Sequence, residues 1–367
     1  MAPEPEFTVG VEEEFFVVDA ETLALRHEAE DIVARSDVPP DGLIEPELKR
    51  SQVETGTAVA QDAEEIRSSI TALRSSLAAS AREHGGRLLA SGTHPFAHWR
   101  DDGGVTPKRP YERLRDTYAR LTDEQVVSGC HVHVGVRDPD LAVEVMNRAR
   151  AWIPLLIAIS ANSPFWLGDD SGYASYRTQV FHRWPNAGAP EHFASRTELD
   201  WVVDDLLRTG LIDDRARIYW DIRPSARYPT LEFRAADVMT NVDDAVAVAL
   251  LVRALVQTCH AEAIDGEKYP SPRPELLRGA IWQASRFGLQ GDLIDVAAAR
   301  AIPAAELVGR SLAHLRPVLE DRGEWDEVQA TVDRILREGT GADRQRATLE
   351  RTGDLRHVVD QLVADTA

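Results

Sequence analysis

Lysine is almost missing from this chain of 367 residues. It occurs only at Lys49, Lys108 and Lys268, so arginine carries nearly all the positive charge. Cysteine is rarer still. Cys130 and Cys259 cannot build a disulfide framework or a thiolate metal cage, which makes a reducing cytoplasm the simpler expectation. No apolar run approaches the roughly 20 residues needed to cross a bilayer. The most apolar stretch, 152–161, follows Arg148 and Arg150 and reads as a buried helix. Met1 to Glu6 is acidic, without the basic and apolar regions of a secretion signal. Positive charge is the minority sign, 41 Lys and Arg against 61 Asp and Glu, a net charge of -20. Such a surface repels phosphate backbones and anionic lipid, so neither nucleic acid nor membrane is an expected partner. Also absent are a Gly-x-x-x-x-Gly-Lys-Ser/Thr loop and a Gly-x-Gly-x-x-Gly turn after a strand. Any ATP chemistry must therefore rest on carboxylates and arginines borne by a sheet.

No repeat, low-complexity segment or Gly/Ser linker divides the chain. It reads as a single unit over 1–367, helix-rich from about residue 243. Ala63, Ile66, Ile70, Leu73 and Leu77 recur at helical spacing and predict a helix over 57–84, ended by Gly85-Gly86. Further helices are expected over 139–161, 243–263, 275–286, 304–319 and 325–338. The strands carry more information, because side chains alternate between faces. Over 7–18, Val9, Val11, Phe15 and Val17 oppose Glu12 and Glu14. Over 125–136, Val126, Cys130, Val132, Val134 and Val136 oppose His131 and His133. Over 218–223, Ile218, Trp220 and Ile222 oppose Tyr219, Asp221 and Arg223. Over 230–236, Leu231 and Phe233 oppose Glu232 and Arg234, while over 51–55 Val53 opposes Gln52 and Glu54. A sheet with one side in water gives the same alternation. The polar face here, however, is rich in residues that bind metals and phosphates.

Hard cations such as Mg²⁺ prefer carboxylate oxygens and tolerate an imidazole. Glu12 and Glu14 can point side by side at one ion or two, with Glu54, Glu232 and His131 as further ligands and His133 beside them. Arg234 shares a face with Glu232, so one side chain can hold metal while the other meets a transferring phosphoryl group. Arg223 and Arg227 are further phosphate candidates. Cys130 falls on the apolar face and reads as a structural thiol.

These stretches resemble, in order, the type-2 glutamate–cysteine ligases and the broader ATP-dependent carboxylate–amine ligase family. The matching blocks are Gly10-Val-Glu-Glu-Glu-Phe15, Gln52-Val-Glu-Thr55, Gly92-Thr-His-Pro95 and Gly129-Cys-His-Val-His-Val-Gly135. They continue through Ser160-Ala-Asn-Ser-Pro-Phe-Trp166, Gly172-Tyr-Ala-Ser-Tyr-Arg177, Trp220-Asp-Ile-Arg-Pro224, Thr230-Leu-Glu-Phe-Arg234 and Gly339-Thr-Gly-Ala-Asp-Arg-Gln-Arg346. The resemblance implies an α+β, glutamine-synthetase-like fold, a curved and largely antiparallel sheet whose concave active-site face is covered by helices. It implies ATP as co-substrate, two or three Mg²⁺ ions, and small-molecule carboxylate and amine substrates, and it admits a homodimer. Carried over, Glu12, Glu14, Glu54, His131, Glu232 and Glu47 are the metal ligands. Arg234 is the γ-phosphate contact, with Arg223 and His133 nearby, and Glu232 and Arg234 are the catalytic pair. Tyr173, Arg177 and His94 belong to the substrate pocket. The implied reaction forms an amide through an acyl phosphate, from glutamate or another carboxylate and from cysteine or another amine. A phosphotransferase of guanidino-kinase type, a metal-dependent hydrolase and a binding protein are the competing readings.

Overall fold

The computed structural model describes residues 6–366, so the stretch Met1–Pro5, read above for targeting features, lies outside it. Its principal sheet has seven strands: β1 (Val9–Asp19), β2 (Leu43–Pro46), β3 (Gln52–Gly56), β4 (Gly86–Leu89), β5 (Gly129–Gly135), β6 (Ile222–Pro224) and β7 (Thr230–Asp237). They run in the order β6-β7-β5-β1-β3-β2, with β4 also paired to β1, and every ladder is antiparallel.

The alternation read from the sequence becomes two physically different faces. Val9, Val11, Cys130, Val132, Val134, Leu231, Phe233 and Ile222 form one core with helices Pro139–Ala149, Ile153–Ser160 and Val242–Ile264. Next to it, Phe15, Val17 and Val53 pack on Leu73, Leu77 and Ala81 of helix Ala63–Glu83. The opposite face of β1 is apolar only at its C-terminal end. There Phe16 and Val18 are covered by Val358, Val359, Leu362 and Val363 of the last helix, Leu355–Thr366. Toward the middle of the sheet that face carries Glu12, Glu14, His131, His133 and Glu232.

Several element boundaries differ from the periodicity. The first long helix starts at Ala63, because Thr57 and Ala60 still bond to β1 through Thr57 N to Val11 O at 2.9 Å and Ala60 N to Val9 O at 2.8 Å. Asp62 then caps it by accepting from Glu65 N. The stretch 139–161 is two helices joined by a 3₁₀ turn at Arg150–Trp152, with Pro154 in the first turn of the second. The strand expected over 218–223 breaks at Asp221 into Tyr219–Trp220 and Ile222–Pro224. Helices Arg109–Tyr118, Arg196–Arg208, Gly341–Thr352 and Leu355–Thr366 had no counterpart in the sequence reading. Among the described residues, no helix is long and apolar enough to cross a membrane.

Candidate active site

Register brings the polar side chains together. Glu14 lies directly across from Glu54, Glu12 across from His131, and Glu232 across from His133. Opposite residues of an antiparallel pair share a face at close range, so three ladders deliver one cluster. Two groups of ligand atoms lie within 4.8 Å of one another: Glu12, His131 and Glu232, and Glu14, Glu54 and His131. His131 is common to both.

The hydrogen bonds give the cluster its polarity. His131 Nδ1 lies 3.0 Å from Glu12 Oε2, and His133 Nε2 lies 3.3 Å from Glu12 Oε1. His133 is fixed on its other side by Thr230 Oγ1, 3.0 Å from Nδ1. Glu14 Oε2 accepts from Gly129 N at 2.6 Å. If His131 donates Nδ1–H to Glu12, its Nε2 presents a lone pair toward Glu14 Oε1 at 3.6 Å, and this buried nitrogen has no hydrogen-bond partner. Two facing acceptors are what a cation between them would satisfy.

The electrostatics agree. Burial, and after it the charges of Glu47, Glu12 and Glu14, push the Glu54 carboxyl well above its ordinary range. Burial and then Glu14 raise Glu47 to about 7. Burial alone would raise Glu12 and Glu232 too. In Glu12 the hydrogen bonds to His131 and His133 override it, and in Glu232 the guanidinium groups of Arg234 and Arg223 do so. Burial, followed by the nearby Arg234, lowers His131, which favours the neutral imidazole that a ligand must be. Oxygen-rich, short of cations and holding an unpartnered imidazole nitrogen, the cluster fits a hard divalent ion.

Residues 8–361 match the family described as glutamate-cysteine ligase family 2. The chain belongs to that family. The ligase is 45% identical over 373 residues to a protein of Frankia alni provisionally named glutamate–cysteine ligase 2-2, covering 98% of this chain and 97% of that one. A Rhodopirellula baltica relative, provisionally named glutamate–cysteine ligase 2, is 40% identical over 98% and 96% of the two chains. Among solved structures, the Francisella tularensis glutamate–cysteine ligase in complex with AMP superposes with a TM-score of 0.70 at 14% identity, over 99% of this chain and 89% of that one. The bifunctional glutathione synthetase of Pasteurella multocida gives 0.69 at 16% identity, over 98% and 52%. Family membership makes the protein an ATP-dependent carbon–nitrogen ligase, and the structural likeness bears out the glutamine-synthetase-like α+β fold.

Several side chains assigned from the sequence sit elsewhere. Arg223 grips Glu232 with both edges, Nε to Oε2 at 2.7 Å and Nη2 to Oε1 at 2.9 Å, and its Nη1 is spent on the carbonyls of Ala216 and Ile218. It orients Glu232, and four of its five N–H donors are already spent within the protein. His94 is buried, with Nε2 2.9 Å from Leu23 O while Nδ1 accepts from Ala97 N at 2.9 Å. Burial lowers its pKa to about 4, so it is a neutral loop brace and not a substrate contact. Tyr173 docks by its hydroxyl on Trp282 Nε1 at 3.2 Å, with Arg286 over its ring. Arg227 is exposed in the turn between β6 and β7. Arg177 is 2% exposed and points its Nη2 at Arg234 O, 3.2 Å away. It lies in a short helix, Tyr176–Phe181, capped by Ser175.

Two contributors, Tyr111 and Glu45, went unread in the sequence, and a third, Asp221, was read only as part of a polar strand face. Tyr111 donates to Glu47 Oε2 at 3.3 Å, and Glu45 lies across from Glu54 on β2. Asp221, buried at the strand break, bonds His182 Nε2 at 2.8 Å and accepts Arg234 N at its carbonyl, also 2.8 Å. Asp221 was visible in the alternation, since it falls on the Arg223 face.

Proposed function

We propose that the protein forms an amide bond in two steps on the Glu12–His131–Glu232 face. The substrate carboxylate is first phosphorylated by ATP, and the acyl phosphate is then captured by an amine. One observation carries this reading: two interlocked ligand groups share His131, with Arg234 against Glu232 at their edge. Glu12, Glu14, Glu54, His131 and Glu232 would hold divalent cations, with Glu47 at the margin. Bound there, Mg²⁺ supplies charge that neutralises the phosphate oxygens.

The chain's own residues do the rest. Arg223 keeps Glu232 in place, and Arg234, paired with Glu232 through Nη1, is the cation for the γ-phosphoryl group. Its Nε is buried and has no hydrogen-bond partner in the protein. A carboxylate oxygen attacks phosphorus and ADP leaves. The amine then attacks the carbonyl carbon, inorganic phosphate leaves, and the amine's proton is lost to solvent or a base. Glutamate with cysteine is the first pair to try, because the family carries that name.

The test is ADP release with Mg²⁺ and ATP across amino acids and amines, singly and in pairs. A carboxylate labelled with ¹⁸O follows the transferred oxygen. Release that requires both substrates, with label in the phosphate and an amide by mass, is expected. Release without an amine, leaving a stable phosphorylated product, would replace this reading with a phosphotransferase.

A further inference from the structure

Strand β7 changes register beside the cluster. Phe233 pairs with Val132 and Ala236 with Cys130, so the single residue His131 on β5 faces both Arg234 and Ala235 on β7. A bulge of this kind re-aims side chains and takes backbone groups out of the ladder. The displaced groups need other partners, since buried backbone polar groups are seldom left unpaired. For Arg234 both are supplied from outside the β5–β7 ladder. Its N–H goes to Asp221 O at 2.8 Å, and its carbonyl accepts Arg177 Nη2 at 3.2 Å. Arg177 Nη1 reaches the next carbonyl, Ala235 O, at 3.5 Å.

The other neighbours of Arg177 are the Phe181 ring, 5.2 Å from Cζ to the centroid, and the buried Asp237 carboxyl, whose pKa burial raises and the charge of Arg177 draws back down. Arg177 is 2% exposed, and among the described residues no carboxylate lies within ion-pair distance of it. A buried guanidinium without a direct ion pair depends on the carbonyls it reaches. Its own backbone is pinned as well. Arg177 N donates to Ser163 Oγ at 3.0 Å, and Ser163 Oγ donates to Asp237 Oδ2 at the end of β7 at 2.6 Å. The sequence also clears space for it. Gly129 shares a face with His131, and a Cβ there would stand 2.7 Å from Arg177 Cζ and 2.9 Å from Nε. Glycine at 129 thus does two things: its N–H orients Glu14, and its missing side chain admits Arg177.

We propose that Arg177 is a positioning residue that clamps the Arg234–Ala235 bulge and so aims the Arg234 guanidinium across the ligand cluster. This rests on the reading of Arg234 as the phosphate contact. Arg177 touches no substrate. It acts through the carbonyls it holds.

Two substitutions attack the clamp from opposite sides. Arg177→Met removes the donors. Gly129→Ala leaves them in the chain but displaces the flexible end of the arginine, so it remains informative if R177M fails to fold. Arg177→Lys keeps the charge but can serve only one carbonyl well. Turnover is measured with the substrate pair from the screen above, and affinity for Mg²⁺ with β,γ-imido-ATP by calorimetry, beside thermal melts. R177M and G129A are expected to lower kcat by about 10- to 100-fold, the scale of an ångström-level misplacement. Their KM for the carboxylate and the amine should stay within about twofold of the parent. Both should also weaken the ATP analogue at least about fivefold, with R177K between them and the parent. If folded R177M and G129A match the parent in kcat and analogue affinity while Arg234→Ala loses both, the clamp is refuted and Arg234 keeps its role. If R234A also behaves as the parent, the reading of the site itself falls, and the clamp with it.

Discussion

At Glu54 the ladder with β1 sets a carboxylate directly opposite Glu14, with Glu12 and Glu47 also close enough to raise it. Without a cation, that charge opposes folding. Glu54→Gln removes it while keeping the side chain's size, so the metal-free protein should become more stable by about 1 kcal/mol, or roughly 2 °C in melting temperature. The same variant should lose most of the stabilisation that Mg²⁺ gives the parent. Melts with chelator and with Mg²⁺ measure both effects, and a metal-dependent shift as large as the parent's would remove Glu54 from the ligand set. Glu13, the neighbour hidden between Glu12 and Glu14, obeys the opposite logic. It points to the apolar face and is matched there by Arg74, with Nε to Oε2 at 3.0 Å and Nη2 to Oε1 at 2.6 Å.

Across elements, the Glu13–Arg74 pair joins β1 to helix Ala63–Glu83. Arg74 also ties that helix to the entry of Val242–Ile264 through the carbonyls of Met239, at 2.8 Å, and Thr240, at 2.6 Å. Both side chains are about 2% exposed. Arg74→Met leaves Glu13 buried and unpaired, so it should cost about 3–5 kcal/mol in denaturant unfolding. The double variant Glu13→Gln, Arg74→Met should recover much of that loss, and a double variant as unstable as the single one would show that packing, not charge, dominates. The pair also marks how far the sequence could be read. Alternation in β1, β3, β5 and β7 was enough to place Glu12, Glu14, Glu54, His131, Glu232 and Arg234 on one face, because a strand's period leaves no choice. It could not reveal Glu13, whose partner is 61 residues away. Nor could it tell Arg234 from Arg223 or Arg177, because a long side chain's role depends on which carbonyls and carboxylates lie within its reach. His94 looked functional within its block and proved to brace a loop. Helix boundaries at 57–62 and 150–154 were moved by tertiary bonds and a proline, which helical periodicity does not report.

For the molecule as a whole, the acidic cluster couples stability to pH with a definite sign. Glu47, raised to about 7, and Glu54, raised in the same direction, hold protons in the folded chain that the unfolded chain has already released. Their contribution is complete below the ordinary carboxylate pKa and is lost as pH rises through about 7. Glu12 and Glu232 are lowered, so their contribution persists above the ordinary value and is lost only in strong acid. Between about pH 5 and 6.5 His94 and His131, whose pKa values burial lowers, oppose Glu47 and Glu54, because the unfolded chain binds protons there that the folded imidazoles refuse. Above about pH 6.5 the Glu47 and Glu54 pair sets the slope. From about pH 6.5 to 8, above the ordinary imidazole pKa, the metal-free protein should melt at progressively lower temperature as pH rises. A divalent ion competes with those protons, so Mg²⁺ should raise the melting temperature more at pH 8 than at pH 5.5 and should release protons when it binds near neutrality. Calorimetry in two buffers of different ionisation enthalpy counts the protons. Binding with no proton release at pH 6.5, and a melting temperature in chelator that does not fall over that upper range of pH, would place the ion away from Glu47 and Glu54.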